Sequence, residues 1–194
     1  MKKIFLILTV LLITSLGYSQ ESKVYLGVSL GLAIPGGDIA DDINSGLELG
    51  FINFGYRFSE NWGATLNMFS SRHTQQEGLY DSTIGVAYFG LGPMYTTNLS
   101  EKVSWDFKPQ IALGLKGVKD VDVRVSSNYE YSGTGFIFGN SLVFGTSKGF
   151  KFSVNLDYLI GRINEVTFAG TTTDVDDDNS LNKLSIGVGL RYNF

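Results

Sequence analysis

Apolar and polar positions alternate with a period of two along most of this chain, the spacing of half-buried β-strands. "VYLGVSLGLAI" sets Val24, Leu26, Val28, Leu30 and Leu32 on one face, opposite Tyr25, Gly27, Ser29, Gly31 and Ala33. "GLELGFINFGYRF" sets Ile52, Phe54, Tyr56 and Phe58 against Asn53, Gly55 and Arg57, and "WGATLNMFSS" sets Ala64, Leu66 and Met68 against Thr65 and Asn67. In "VSWDFKPQIALGLK", Val103, Trp105, Phe107, Pro109, Ile111, Leu113 and Leu115 alternate with Ser104, Asp106, Lys108, Gln110, Ala112, Gly114 and Lys116. "GFIFGNSLVFGT" offers Phe136, Phe138, Leu142 and Phe144, interrupted by Asn140. "FKFSVNLDYLI" and the closing "KLSIGVGLRYNF" alternate without a break, whereas "TIGVAYFGLGPMYTT" is apolar on both faces and leaves its register open. The pattern predicts eight strands, an even number, as an antiparallel up-and-down barrel with both termini on one side requires.

The connections alternate too. "SEN" (59–61), "NLSEK" (98–102) and "TSKG" (146–149) are short and polar, whereas the stretches 35–45, 72–82, 117–134 and 163–180 are long. Short turns on one side and long loops on the other are the layout of a transmembrane barrel. A soluble barrel also alternates, so the two faces must decide. Arg57, Asp106, Lys108, Lys151, Asp157, Lys183 and Arg191 lie on the polar face, mixed in sign and interleaved with glycine. That set suits a crowded lumen of paired charges, which an eight-stranded barrel has room to hold and no more. The opposite face is continuously apolar, with Phe58, Trp62, Tyr95, Trp105, Phe150 and Tyr192 beside the short turns, where a lipid interface favours aromatic rings. The expected fold is therefore all-β: an eight-stranded antiparallel transmembrane barrel with lipid outside and polar side chains within.

The N-terminus sharpens the address. "MKKIFLILTVLLITSLGYS" joins two lysines, a 13-residue apolar run from Ile4 to Leu16, and small residues at Gly17 and Ser19. The run falls short of the roughly 20 residues that span a bilayer as a helix. Residues 1–19 read as a secretory signal peptide and residues 20–194 as one barrel domain. Cleavage removes Lys2 and Lys3 and no acidic residue, moving the net charge from −4 to −6. The chain has no cysteine, so neither disulfides nor a lipidated cysteine anchor is available. With that charge and no basic run, nucleic acid is not an expected partner. Glycine, at 24 of 194 residues, exceeds its usual share of about 7%.

The last strand ends on an aromatic residue, with Leu190, Tyr192 and Phe194 on its apolar face. "GYRFSENWG", "FGLGPMY", "DFKPQIALGLK" and "VGLRYNF" resemble the small outer-membrane β-barrel domain family, PorT-like in the broad sense and akin in shape to OmpX and OmpA barrels, over essentially the whole mature chain. The resemblance implies outer-membrane insertion, a terminal strand read by the barrel-assembly machinery, and roles in adhesion, secretion support or envelope structure. It implies no catalytic residues.

Pro93 and Pro109 fall inside expected strands, where each removes a ladder donor, so bulges or a local gap are expected there. His73, the one histidine, lies near Ser70 and Ser71 and reads as a solvated residue at a loop start. "DVDDDN" (174–179) clusters carboxylates, but an EF-hand loop beginning at Asp174 would need Gly and Glu where Asn179 and Ser185 stand. No metal, cofactor or catalytic site is expected. Val121, Val123 and Val125 continue the odd register of the preceding strand, and Val166 and Phe168 the even register of Phe150 to Ile160. Spanning takes only about 9–11 residues per strand, so protruding hairpins follow. The expected function is that of a structural or interaction protein meeting an extracellular protein through residues 117–134 and 163–180. A narrow channel for ions or small solutes is the alternative, and an enzyme ranks third.

Overall fold

The structure is a computed structural model that describes residues 23–37, 43–77, 80–121, 127–146, 148–175 and 180–194. The expected signal segment, residues 1–19, lies outside the described residues, as do Val123, Val125 and residues 176–179. Among the described residues nine strands follow one another: β1 (Val24–Gly36), β2 (Gly46–Arg57), β3 (Trp62–Glu77), β4 (Tyr80–Ser100), β5 (Val103–Val121), β6 (Ser127–Phe144), β7 (Gly149–Phe168), β8 (Thr171–Asp174) and β9 (Ser180–Asn193). Each of β1 to β6 pairs antiparallel with the next. β6 pairs with β7, β7 with β9, and β9 with β1, so the pairings close a ring of eight. Every strand of the ring is paired on both sides apart from a short lapse between β4 and β5, close to the full backbone pairing that hydrocarbon demands of a β-structure. The ninth strand, β8, folds back on the outer end of β7 through Ala169 and Gly170, both at positive φ (50° and 81°), as a tight two-residue hairpin turn requires.

The faces follow the alternation. Leu26, Val28, Leu30 and Leu32 point outward from β1, as do Phe150, Phe152, Val154, Leu156, Tyr158 and Ile160 from β7 and Ile186, Val188, Leu190 and Tyr192 from β9. Trp62 packs edge-on to Tyr95 at 5.1 Å and Phe150 edge-on to Tyr192 at 5.0 Å, which places paired rings beside the short turns.

Two bulges reverse the pattern near the long-loop end. In β5 the register with β6 slips between Ala112 and Leu115, where Gly114 adopts φ 59°, a conformation unfavourable for residues with a Cβ. Leu115 consequently turns inward and is buried, while Lys116 is exposed, the reverse of the sequence expectation. A second slip opposite Asn164 turns Val166 inward too, so it does not keep the even register of Phe150 to Ile160.

The expected disturbance at the prolines is a single feature. The β4–β5 ladder runs through Leu91↔Ile111, lapses, and resumes at Tyr95↔Phe107. Pro93 and Pro109 face each other within that lapse, where neither has an N–H to give. Much of the chain read as long loops at 72–82, 117–134 and 163–180 is strand instead, because the ladders continue to Glu77↔Tyr80, Val121↔Ser127 and Phe168↔Thr171.

Candidate functional site

The interior is the chemically distinctive part of the molecule, and it changes character along the barrel axis. Near the short turns it is polar and charged. Asp106 on β5 is fully buried and accepts from Arg191 Nη1 on β9 at 2.5 Å and from Thr96 Oγ1 on β4 at 2.9 Å. The Arg191 guanidinium lies 4.3 Å from the centre of the Tyr25 ring. Further in, Lys108 Nζ donates to Ser141 Oγ at 2.7 Å, and Asn53 Nδ2 donates to Ser29 Oγ at 3.1 Å. Lys108 and Asp157 line one small space of about 20 Å³, close to the size of a single water.

Deeper still, Lys183 on β9 donates to the Glu48 carboxylate on β2 and sits over the face of Tyr88, 4.6 Å from its centroid. Glycines on β1 and β9 lie next to this pair. A Cβ on Gly31 would lie 2.8 Å from Gly187 Cα, so these two strands approach as closely as backbone allows. All seven residues expected in the polar lumen network thus point inward: Asp106, Lys108, Asp157, Lys183 and Arg191 are buried, and Arg57 and Lys151 are half-buried at the short-turn mouth. Glu48 completes the second ion pair and was not expected. Its signal was present, since "GLELG" alternates Leu47 and Leu49 against Gly46, Glu48 and Gly50.

Toward the long-loop end the interior becomes an apolar plug. Phe69, Val86, Tyr88, Ala112, Leu115, Ile137, Leu159, Ile163 and Leu181 form one buried cluster, capped by Ile84, Tyr131 and Val166. The plug explains why "TIGVAYFGLGPMYTT" is apolar on both faces. Val86 and Tyr88 enter the plug, while Phe89 and Leu91 face outward.

His73 is not solvated. It is 1% exposed inside the barrel, with Nε2 3.0 Å from Ser71 Oγ and Nδ1 2.9 Å from the Asn44 carbonyl. A serine–histidine contact alone does not make a nucleophile, and Ser71, 2% exposed, has no open face for a substrate. Among the described residues no cluster of three or more His, Asp or Glu side chains could hold a metal.

The two ends differ. At the short-turn mouth a cup of about 700 Å³ opens outward, lined by Tyr25, Arg57, Met94, Thr96, Lys151, Arg191 and Asn193, with Lys23, Glu60, Glu101 and Lys102 around its rim. At the other end the wall is uneven. Strands β4 to β7 run 18 to 21 residues, against 12 to 14 for β1, β2 and β9. The tall side is held together by ladder pairs and by Tyr129 stacked on Phe168 at 4.6 Å.

A closed ring of eight strands, apolar outside and charged within, defines a transmembrane β-barrel. The chain belongs to the family of outer membrane protein β-barrel domains, whose family model matches residues 4–194. It is an outer-membrane protein. No curated protein matches it in sequence. Among solved structures, Neisserial surface protein A (NspA) superposes with a TM-score of 0.61 at 13% identity, covering 91% of this chain and 100% of that one. Ail, the attachment invasion locus protein of Yersinia pestis, gives 0.54 at 17% identity over 89% and 100%. A major outer membrane protein from Thermus thermophilus gives 0.58 at 11% over 88% and 99%. At these identities the likeness is one of fold. In this family's layout the short turns face the periplasm and the long loops face outward.

Proposed function

We propose that this protein is a filled outer-membrane barrel whose work lies in its outer sheet, as a structural or interaction protein in adhesion or envelope assembly. The unequal wall carries this reading. Strands of 18 to 21 residues exceed the roughly 9–11 needed to cross the membrane, so the β4–β7 sheet rises well clear of it on one side. β8 adds a fully exposed strand, Thr171–Asp174, to that platform, and ladder hydrogen bonds give it the rigidity of a binding surface. Extracellular protein partners meet residues 117–134 and 163–180, partly through exposed strand edges. Residues 1–19 direct secretion, and the barrel-assembly machinery reads Leu190, Tyr192 and Phe194, which all point outward on the last strand.

The test replaces residues 119–129 with a two-residue turn joining Val118 to Glu130, which are ladder partners. The shortened barrel still migrates faster unheated than boiled on a detergent gel, and intact cells carrying it lose the surface partners that the full chain recovers. Equal recovery from both would contradict the reading. The second reading, a narrow channel for ions or small solutes, draws on small polar spaces that continue from the cup past Asp157 to Glu48. The apolar plug beyond them weighs against conduction.

A further inference from the structure

The periplasmic cup has a charge arrangement that neither folding nor the outer sheet explains. The chain carries a net charge of −4, yet five cationic side chains line this one mouth: Lys23, Arg57, Lys102, Lys151 and Arg191. Two acids, Glu60 and Glu101, share the lining. Asp106 lies just beneath and is committed to Arg191 and Thr96. Lys151 and Arg191 are direct cross-strand partners on the inward face of β7 and β9. Like charges placed opposite each other in a sheet are destabilising; Asp106 answers Arg191 directly, which leaves Lys151 as the less compensated member of the pair. Lys151 has no ion-pair or hydrogen-bond partner among the described residues. Arg191 Nε is buried without an acceptor, and Asn193 Oδ1 is buried without a donor, in the same wall. The volume, about 700 Å³, is that of a small-molecule site.

We propose that the cup binds a small oxyanion, a phosphate or carboxylate, held by Lys151 with Lys23 and Lys102 at its rim and Arg57 in the same wall. Guanidinium and ammonium groups grip such oxyanions through charge-assisted hydrogen bonds, and the closed lumen behind the cup shields them from bulk water. The anion comes either from the soluble periplasm or from a phospholipid headgroup of the inner leaflet, which borders the same rim. This site is independent of the outer sheet, so either can fail without the other.

The test titrates the mature chain, refolded in zwitterionic phosphatidylcholine nanodiscs, with inorganic pyrophosphate and with tricarballylate, using sucrose as a neutral control. Calorimetry detects both anions and not sucrose, and the affinity falls as sodium chloride rises. Lys151→Met weakens binding about tenfold, the effect of losing a charge-assisted contact. Lys102→Glu, in an exposed turn where folding is not at stake, weakens it as well. Lys116→Met, exposed at the far end of the barrel, leaves it unchanged. Repeating the titration with phosphatidylglycerol in the disc separates the sources: competition assigns the site to a headgroup, and no competition assigns it to a soluble anion. No binding at low salt, or binding unaltered in both Lys151→Met and Lys102→Glu with each variant folded by its heat-modifiable mobility, would overturn the proposal.

Discussion

Lys183 on β9 pairs with Glu48 on β2 across the intervening strand β1, against the face of the Tyr88 ring. The two residues are 135 positions apart, and the pair ties the last strand to the second through the interior. Both side chains are almost wholly out of solvent, so the contribution of the pair depends on each charge keeping its partner.

Removing one partner leaves an uncompensated buried charge. Glu48→Gln and Lys183→Met are each expected to destabilise the barrel by about 3–5 kcal/mol. The double replacement Glu48→Leu with Lys183→Met is expected to cost clearly less than the sum. Urea unfolding in lipid bilayers measures all three, and strictly additive losses would show that the two groups are not coupled.

The plug predicts a closed lumen. Reconstituted in planar bilayers, the natural chain is expected to carry no large, steady current, because Phe69, Tyr88, Leu115, Ile137 and Leu159 close the lumen above the charged zone. Leu115→Ala with Leu159→Ala removes plug volume at a stability cost of about 2–5 kcal/mol per site, and is expected to produce conducting events absent from the parent. A stable porin-sized current through the natural chain would contradict a filled interior.

The proposed assembly role of the terminal strand is open to a direct test. The Phe194 amide donates to the Val24 carbonyl at 3.0 Å, and its ring meets Tyr192 edge-on at 5.1 Å, at the seam where the ring of strands closes. Phe194→Ala is expected to lower the yield of heat-modifiable barrel in the outer membrane while export across the inner membrane continues. An unchanged folded yield would remove the residue from assembly.

The strand faces were legible because a barrel wall has one period and two environments. Each uninterrupted alternation, such as Phe150 to Ile160, determines which side chains face outward. A bulge changes this by one residue and leaves almost no composition signal. Gly114 in "ALGLK" looks like any other strand glycine of the chain, yet its positive φ turns Leu115 from the outer face into the plug. Asn164 does the same for Val166. The plug itself was hidden for a related reason. It is assembled from side chains of six strands, among them Phe69, Val86, Leu159 and Leu181, and no one of these strands announces an apolar lumen alone. His73 was misplaced because β3 continues to Glu77, beyond the point where polar residues suggested a loop. Pro93 and Pro109 were visible as misfits, but only pairing reveals that they share a seam.

The central claim is that the apolar face meets lipid and the polar face fills the lumen, and β7 tests it most directly. Single nitroxide labels from Ser153 to Ile160 report their exposure to oxygen, which concentrates in hydrocarbon, and to a water-soluble nickel chelate. The oxygen response is expected to peak at positions 154, 156, 158 and 160, where Val154, Leu156, Tyr158 and Ile160 point outward, and to fall at 153, 155, 157 and 159 between them. Peaks at the odd positions, or a chelate response at the even ones, would contradict the account by placing the apolar face inside.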